Sequence, residues 1–155
     1  MENLNSQKNK PEIIEGGFAV DDRGQLTFVN DFSFSDVKRF YMVENFSKDT
    51  IRAFHGHKNE AKYAFVVSGS AIVVAVEMDN TENPSKNNEI HRHVLSSRKP
   101  KIFYIPAGYT NGFKSLENDT KIIFFSTTTL EGSQKDDHRL PADYWGSEIW
   151  EIENR

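Results

Sequence analysis

The sequence predicts an all-β fold, a single barrel or jelly roll, on three observations. Short apolar or alternating runs recur between turn signals, the pattern of many short strands. No stretch sustains the 3.6-residue periodicity of an amphipathic helix. The chain has 155 residues, enough for one real core and short for two domains.

Each element follows from its local pattern. Met1 to Pro11, rich in Asn, Lys and Gln, reads as a flexible polar tail, with a single domain over residues 12–155. "QLTFVNDF" follows a turn at "DDRG", and "RFYMVENF" follows "SFSDVK". "AKYAFVVSGSAIVVAVEM" is two strands broken at "SGS", where glycine lets the backbone turn. Asp79 to Glu89 is a polar loop; "IHRHVLSS" alternates; "KIFYIPAG" ends in a Pro-Gly turn; "TKIIFFSTTTL" is rich in β-formers. Short helices are expected only near Phe34 to Lys38 and near the C-terminus. "IFYIP" and "IIFF" are expected in the barrel core, and "EGSQKDD" as a solvated loop.

The totals narrow the function classes. Nineteen basic against 23 acidic residues leave a net charge of −4, which argues against nucleic acid or an acidic membrane surface as partner. A few local cations remain free to hold a small anion. With no cysteine there is no disulfide frame, thiolate nucleophile or Cys-type zinc site. The first residues lack the apolar run of a signal peptide, and no run approaches the roughly 20 residues of a membrane span. A soluble cytoplasmic protein is the expectation.

The chemistry concentrates in "RAFHGHKNEAKYAFVVSG". In metal-binding jelly rolls of the cupin type, a His-x-His pair is followed at fixed spacing by glutamate and glycine, and a second segment reads Pro-x-Gly-x-x-His. Here His55, His57, Gly69, Pro106 and Gly108 keep the framework, but Lys62 stands at the glutamate position and Asn111 at the second histidine position. An ammonium has no lone pair for a metal, and a carboxamide is a poor ligand beside imidazole. No metal and no cofactor are therefore expected. The competing arrangement is a metal held by His55, His57 and Glu60. Strand alternation puts Ala53, His55 and His57 on one face and Arg52, Phe54 and Gly56 on the other, with both histidines inward. A lone lysine such as Lys62 often snorkels at a strand end. Beside two inward histidines, a cavity position is as plausible. His91, Arg92 and His93 read as a solvated or interface edge, and His138 as surface.

Taken together and in order, "DDRG", "ENFSKDTIRAFHGHK", "KYAFVVSG", "FYIPAGYTNGF" and "DDHRLPADYW" resemble the cupin-fold nucleotide-sugar epimerases, of the dTDP-4-dehydrorhamnose 3,5-epimerase kind, from Asp22 to about Trp145. "FHGHK" is closer to the related sugar 3,4-ketoisomerases. The resemblance implies a metal-independent homodimer that lends residues across its interface. It puts His55 at the catalytic base, Lys62 at the lysine that stabilises the enolate oxygen, and Arg52 at the diphosphate or sugar. Arg23 would meet the nucleotide from the neighbouring subunit, and Asp143 would be the carboxylate that orients the base. The family's catalytic tyrosine falls on Phe125, which has no proton to give. Its "HGF" histidine is Asn111, and its thymine-contacting residues are Leu26 and Phe28.

The implied substrate is a nucleoside-diphospho-4-keto-6-deoxy sugar of bacterial glycan assembly. A histidine, substantially neutral at pH 7, suits removal of a proton beside the ketone. A cation suits the developing oxyanion. Arginine engages two phosphate oxygens at once. His57 could pass the proton between carbon and oxygen, which a ketoisomerase needs and an epimerase does not. Tyr41 and Tyr104 are candidate hydroxyl acids or substrate contacts, although strand tyrosines more often pack. Three outcomes stay open: epimerisation at C3 with or without C5, 3,4-ketoisomerisation, and a non-catalytic sugar-nucleotide-binding cupin.

Overall fold

The computed structural model describes residues 10–155, so the first nine residues of the expected tail lie outside the described residues. Twelve strands and one short helix are described. They are β1 (Glu12–Glu15), β2 (Gly17–Asp21), β3 (Gly24–Phe28), β4 (Arg39–Asn45), β5 (Ile51–His57) and β6 (Lys62–Ser68). β7 (Ser70–Glu77), β8 (Ile90–Ser96), β9 (Lys101–Ile105), β10 (Tyr109–Ser115) and β11 (Thr120–Ser126) follow. α1 (Leu130–Gln134), β12 (His138–Arg139) and a 3-10 turn at Ser147–Trp150 close the chain. The expected helix near Phe34 to Lys38 is instead a turn, closed by Val37 N–H donating to the Phe34 carbonyl.

Two five-stranded antiparallel sheets, in the orders β1-β9-β6-β11-β4 and β12-β5-β10-β7-β8, make the body. The core between them is built from both: Ala64 and Val66 of β6, Phe103 and Ile105 of β9, Ile122 and Phe124 of β11 face Val73 and Ala75 of β7, Leu95 of β8 and Phe113 of β10. The two sheets joined by one core realise the predicted all-β architecture.

β7 shows why its sequence reads as an unbroken apolar run. Ala71, Val73 and Ala75 serve the core between the sheets. Ile72, Val74 and Val76 serve a second cluster on the other face, with Phe54, Leu140, Trp145 and Trp150. The C-terminal segment covers that face, and both indoles find acceptors: Trp145 Nε1 donates to the Ser85 carbonyl (3.0 Å) and Trp150 Nε1 to that of Ala142 (2.8 Å).

Alternation also sorts the aromatic runs: half of "IIFF" is core, whereas "IFYI" is buried throughout and gives Phe103 and Ile105 to the core between the sheets. On β11, Phe124 points inward, while Phe125 packs on the outer face against Phe32, Phe34 and Phe40 at 5.2, 5.4 and 6.3 Å between centroids. On β9, Phe103 and Ile105 point inward, and Tyr104 lies on the outer face against Tyr63 (4.9 Å). At the "SGS" break Gly69 has φ +77°, the left-handed region that the tight β6–β7 turn requires. The β2–β3 hairpin is a separate two-stranded sheet that leaves Phe18, Val20, Leu26 and Phe28 exposed. Among the described residues no helix is long and apolar enough to cross a membrane.

Candidate active site

At one end of the body, between the two sheets, lies a cavity of about 320 Å³. β5 contributes Arg52, His55 and His57 to its wall, and β6 contributes Lys62. Strict alternation would put Arg52 on the face opposite the histidines. A bulge changes that: Asn111 pairs with His55 but Phe113 pairs with Arg52, so two steps on β10 oppose three on β5. Ala53 and Phe54 both turn to the outer cluster, and Arg52 returns to the cavity face. Gly112 sits opposite the bulge, where a Cβ would collide with that of Ala53. Arg52 is then held by its Nε donating to Asn45 Oδ1 (2.7 Å), with Asn45 Nδ2 donating in turn to Ser115 Oγ (2.7 Å).

The opposite wall is aromatic and cationic. Tyr41 of β4 and Phe124 of β11 are cross-strand partners and stack at 5.3 Å with 20° between planes. The Lys62 ammonium lies over both rings, 5.8 Å from Tyr41 and 6.0 Å from Phe124. Arg39 also lies over Tyr41, at 5.1 Å. Burial, with the Glu60 charge adding to it, pushes the Tyr41 hydroxyl far up, so it stays protonated. Burial lowers the Lys62 pKa, and Glu60 is the strongest opposing influence.

The third wall comes from "EGSQKDD", expected from its composition to be a solvated loop, and the two residues after it. Thr129 caps α1 by accepting from Gly132 N–H (3.1 Å), which sets Ser133 Oγ at 3.4 Å from His57 Nε2. Asp136 accepts from the backbone N–H of Lys58 (3.0 Å) and Asn59 (2.8 Å), and β12 pairs with β5, so the chain is pinned beside the histidines. The next residue, Asp137, has its Oδ1 3.8 Å from His55 Nδ1 and accepts from Arg139 Nε at 3.0 Å. Burial pushes the Asp137 carboxyl up, but the Arg139 hydrogen bond and the charges of Arg139 and the two histidines together hold it below its ordinary value. His55 is lowered by burial and by Arg139, against the pull of Asp137; His57 is lowered by burial and by Lys62, against that of Glu60. Both imidazoles are therefore biased to the neutral, proton-accepting form.

Of the residues singled out in the sequence, His55, His57, Lys62, Arg52, Asn111 and Tyr41 meet in this cavity. Asn111 Nδ2 is 3.4 Å from the His55 carbonyl. Three others lie elsewhere. Asp143 is exposed in the turn before Trp145, its carbonyl accepting from Gly146 N–H; the carboxylate beside His55 is Asp137. Tyr104 is carried outward by alternation with Phe103 and Ile105. Arg23 sits on the exposed β2–β3 hairpin, paired with Asp21 at 2.6 Å. Phe125 likewise faces away, and the ring that confronts Lys62 is Phe124, one residue earlier. The cavity side of β11 still presents a phenyl ring without a hydroxyl.

The sequence reading missed Arg39, Ser133, Asp137 and Arg139. "DDHR" carried a usable signal, two carboxylates, a histidine and an arginine within four residues, but nothing local assigned it to β5. His91 and His93 turn onto Tyr109 (6.0 Å) and Phe103 (4.8 Å) and are half-buried on β8, which is an edge strand, as the expectation of a solvated or interface edge had it. His138 is half-buried as well, 3.2 Å from Asp136. Among the described residues no group of three or more His, Asp and Glu side chains is disposed to hold a metal ion. His57 and Glu60 are neighbours at 3.8 Å, while His55 turns to Asp137.

Comparison with known proteins bears on the family and the fold. The model of the dTDP-4-dehydrorhamnose 3,5-epimerase family matches residues 13–143. The spore coat polysaccharide biosynthesis protein SpsL of Bacillus subtilis is 30% identical over 94 residues, 60% of this chain and 61% of that protein; the match thus spans less than two thirds of the relative's length. Among solved structures, RmlC of Legionella pneumophila, in complex with dTDP-4-keto-L-rhamnose, superposes with a TM-score of 0.74 at 18% identity, covering 97% of this chain and 84% of that one. QdtA, a sugar 3,4-ketoisomerase of Thermoanaerobacterium thermosaccharolyticum in complex with TDP, gives 0.65 at 18% identity, covering 87% and 91%. At those identities the superpositions speak to the fold, which is the jelly roll of that group.

Proposed function

The chain belongs to the dTDP-4-dehydrorhamnose 3,5-epimerase family, and from that premise we propose that it enolises a nucleoside-diphospho-4-keto-6-deoxy sugar at C3. The observation that carries this reading is the convergence of His55, His57 and Lys62 on one cavity beside Asp137. His55 is the base. It is kept neutral by burial and is faced by a carboxylate that stabilises the imidazolium formed when it takes the C3 proton. The electron pair left behind moves onto the C4 oxygen, and the Lys62 ammonium receives that charge in a site where water screens it little. Arg52, fixed by Asn45, and Arg139 are the cations for the diphosphate. The product is the C3 epimer once a proton returns to the opposite face, and the Tyr41 hydroxyl, held protonated, is the acid lining the cavity.

A second reading, 3,4-ketoisomerisation, is favoured by one specific observation. The cavity holds two histidines and the inward residue of β11 is Phe124, so a proton is more easily passed along one face than delivered to the other. Here His57 serves the oxygen-bound proton. Homodimerisation is part of the proposal. The exposed apolar hairpin β2–β3 and the exposed Phe40 and Met42 of β4 offer surface for a second copy, with Arg23 carried to the partner's nucleotide. We place the enzyme in the cytoplasm, in bacterial polysaccharide assembly.

The test is proton exchange in D₂O with dTDP-, UDP- and GDP-4-keto-6-deoxy sugars, followed at the ring protons by NMR. Exchange at C3 with a new coupling pattern supports epimerisation. Exchange with the ketone moved to C3 supports ketoisomerisation. Binding without any exchange would overturn both and leave a sugar-nucleotide-binding cupin.

A further inference from the structure

Glu60 has no role in the chemistry above, yet it is the most deeply buried carboxylate at the cavity, with its side chain 1% exposed. It sits on the short connection between β5 and β6. Its two oxygens differ. Oε2 accepts from Ser126 Oγ (3.1 Å) and lies 3.9 Å from the Arg39 guanidinium. Oε1 is fully buried and has no donor; the Arg39 Nε is equally without an acceptor. The titratable neighbour of Oε1 is His57, whose Nε2 is 3.8 Å away.

An ionised carboxylate oxygen only accepts, and a buried one without a donor costs about 1–3 kcal/mol. A bare imidazole lone pair facing it would add repulsion. A proton on His57 Nε2 satisfies both atoms, and the ring needs to move only about 1 Å to reach ordinary hydrogen-bond length. Ser133 Oγ, 3.4 Å from the same nitrogen, can then accept from it as well. Had Ser133 been the donor, Nε2 would be bare and Oε1 would keep no partner.

We propose that Glu60 is the positioning residue for His57: it fixes the tautomer protonated at Nε2 and leaves Nδ1 as the nitrogen that accepts a proton. His55 and His57 thereby become a matched pair, each backed by its own carboxylate, Asp137 for the first and Glu60 for the second. The electrostatics agree with that geometry. His57 faces Lys62 from β6, Asp136 and Asp137 from the segment after α1, and Glu60; the lysine lowers its pKa and the three carboxylates raise it, Glu60 most. Glu60 is also the largest influence keeping Lys62 charged against its burial. The catalytic part of the inference rests on the ketoisomerisation reading, in which His57 serves the oxygen-bound proton, but its physical part, the tautomer, does not.

The experiment uses the ¹⁵N-labelled full chain. Long-range ¹H–¹⁵N spectra at pH 8, with the His57 signals identified by their loss in His57→Asn, report the tautomer directly. Protonation at Nε2 is expected; protonation at Nδ1 would overturn the proposal without any need for activity. Glu60→Gln keeps the shape and removes the charge. It should move the His57 titration midpoint to lower pH and slow C3 exchange of dTDP-4-keto-6-deoxyglucose by about tenfold or more, with KM within about threefold. An unmoved midpoint with exchange within about twofold of the parent protein overturns the positioning role. If the parent protein exchanges none of the sugars, the enolisation reading falls, and the tautomer and midpoint still decide this one.

Discussion

The two faces of β5 are built from neighbouring residues and behave as opposites. Phe54 points into a cluster of Leu140, Trp145 and Trp150 in which both indoles are satisfied. His55, the next residue, points into a cavity of buried or half-buried charges that includes Lys62, Arg39 and Asp137, with Glu60 behind it. The apolar face gains from removal of its surface from water. The cavity face is costly, since it holds a buried lysine of lowered pKa and a glutamate oxygen with no donor. The contrast teaches that stability and chemistry are separated across one strand's thickness, so substitutions one position apart should be distinguishable by what they damage.

The sharpest way to break that division is the adjacent pair. His55→Asn should slow C3 exchange by about 10²–10⁴-fold while changing the free energy of unfolding by less than about 1 kcal/mol. Phe54→Ala should do the converse, costing about 3–5 kcal/mol in urea denaturation. If His55→Asn unfolds the protein, the division is wrong. Lys62→Met comes next. It should lower turnover by about 10²–10³-fold, with a thermal midpoint that stays level or rises, because an apolar side chain of similar length avoids the cost of a buried ammonium. A fall in the midpoint would make the lysine structural. Asp137→Asn should slow exchange roughly tenfold or more, whereas Asp143→Asn, in its exposed turn, should leave rate and stability unaltered; equal effects would restore the sequence-based choice.

The smallest effect is the pH dependence. His55 and His57 have folded pKa values below the ordinary 6.5, so on acidification the unfolded chain takes up their protons first. Their contribution to stability is therefore complete above about pH 6.5 and is lost as pH falls from there through the lowered folded values. Urea midpoints at pH 7.5 and 5.5 should differ in that direction, and the double variant His55→Asn/His57→Asn should show a smaller difference.

Much of this was legible without coordinates. Alternation put both histidines of "HGH" on one face, and the spacing from Lys62 to Gly69 marked a strand start and its turn. Phe125, which the family resemblance aligned with a catalytic tyrosine, and Tyr104, a candidate acid or substrate contact, both lie on the outer faces of their strands, and nothing within "IIFF" or "IFYI" marks which residue faces the cavity. Asp143 was chosen for its family resemblance when Asp137, six positions earlier, is the carboxylate that reaches His55.

What the sequence by itself determined is local: period-two facing, the turn at Gly69, the absence of cysteine, and the nearness of His55, His57 and Lys62 on two consecutive strands, which the fold then places in opposite sheets. Periodicity is a property of the backbone, and it is written wherever one face is buried. Only the tertiary structure decided the rest. The β5 bulge turns Arg52 back into the cavity, and it depends on how β10 pairs across it. The β12–β5 pairing brings Asp137 to a histidine some eighty residues away in the chain, and the β4–β11–β6 neighbourhood sets Arg39 against Glu60. Those meetings are fixed by packing between distant strands, and no short stretch of sequence encodes them.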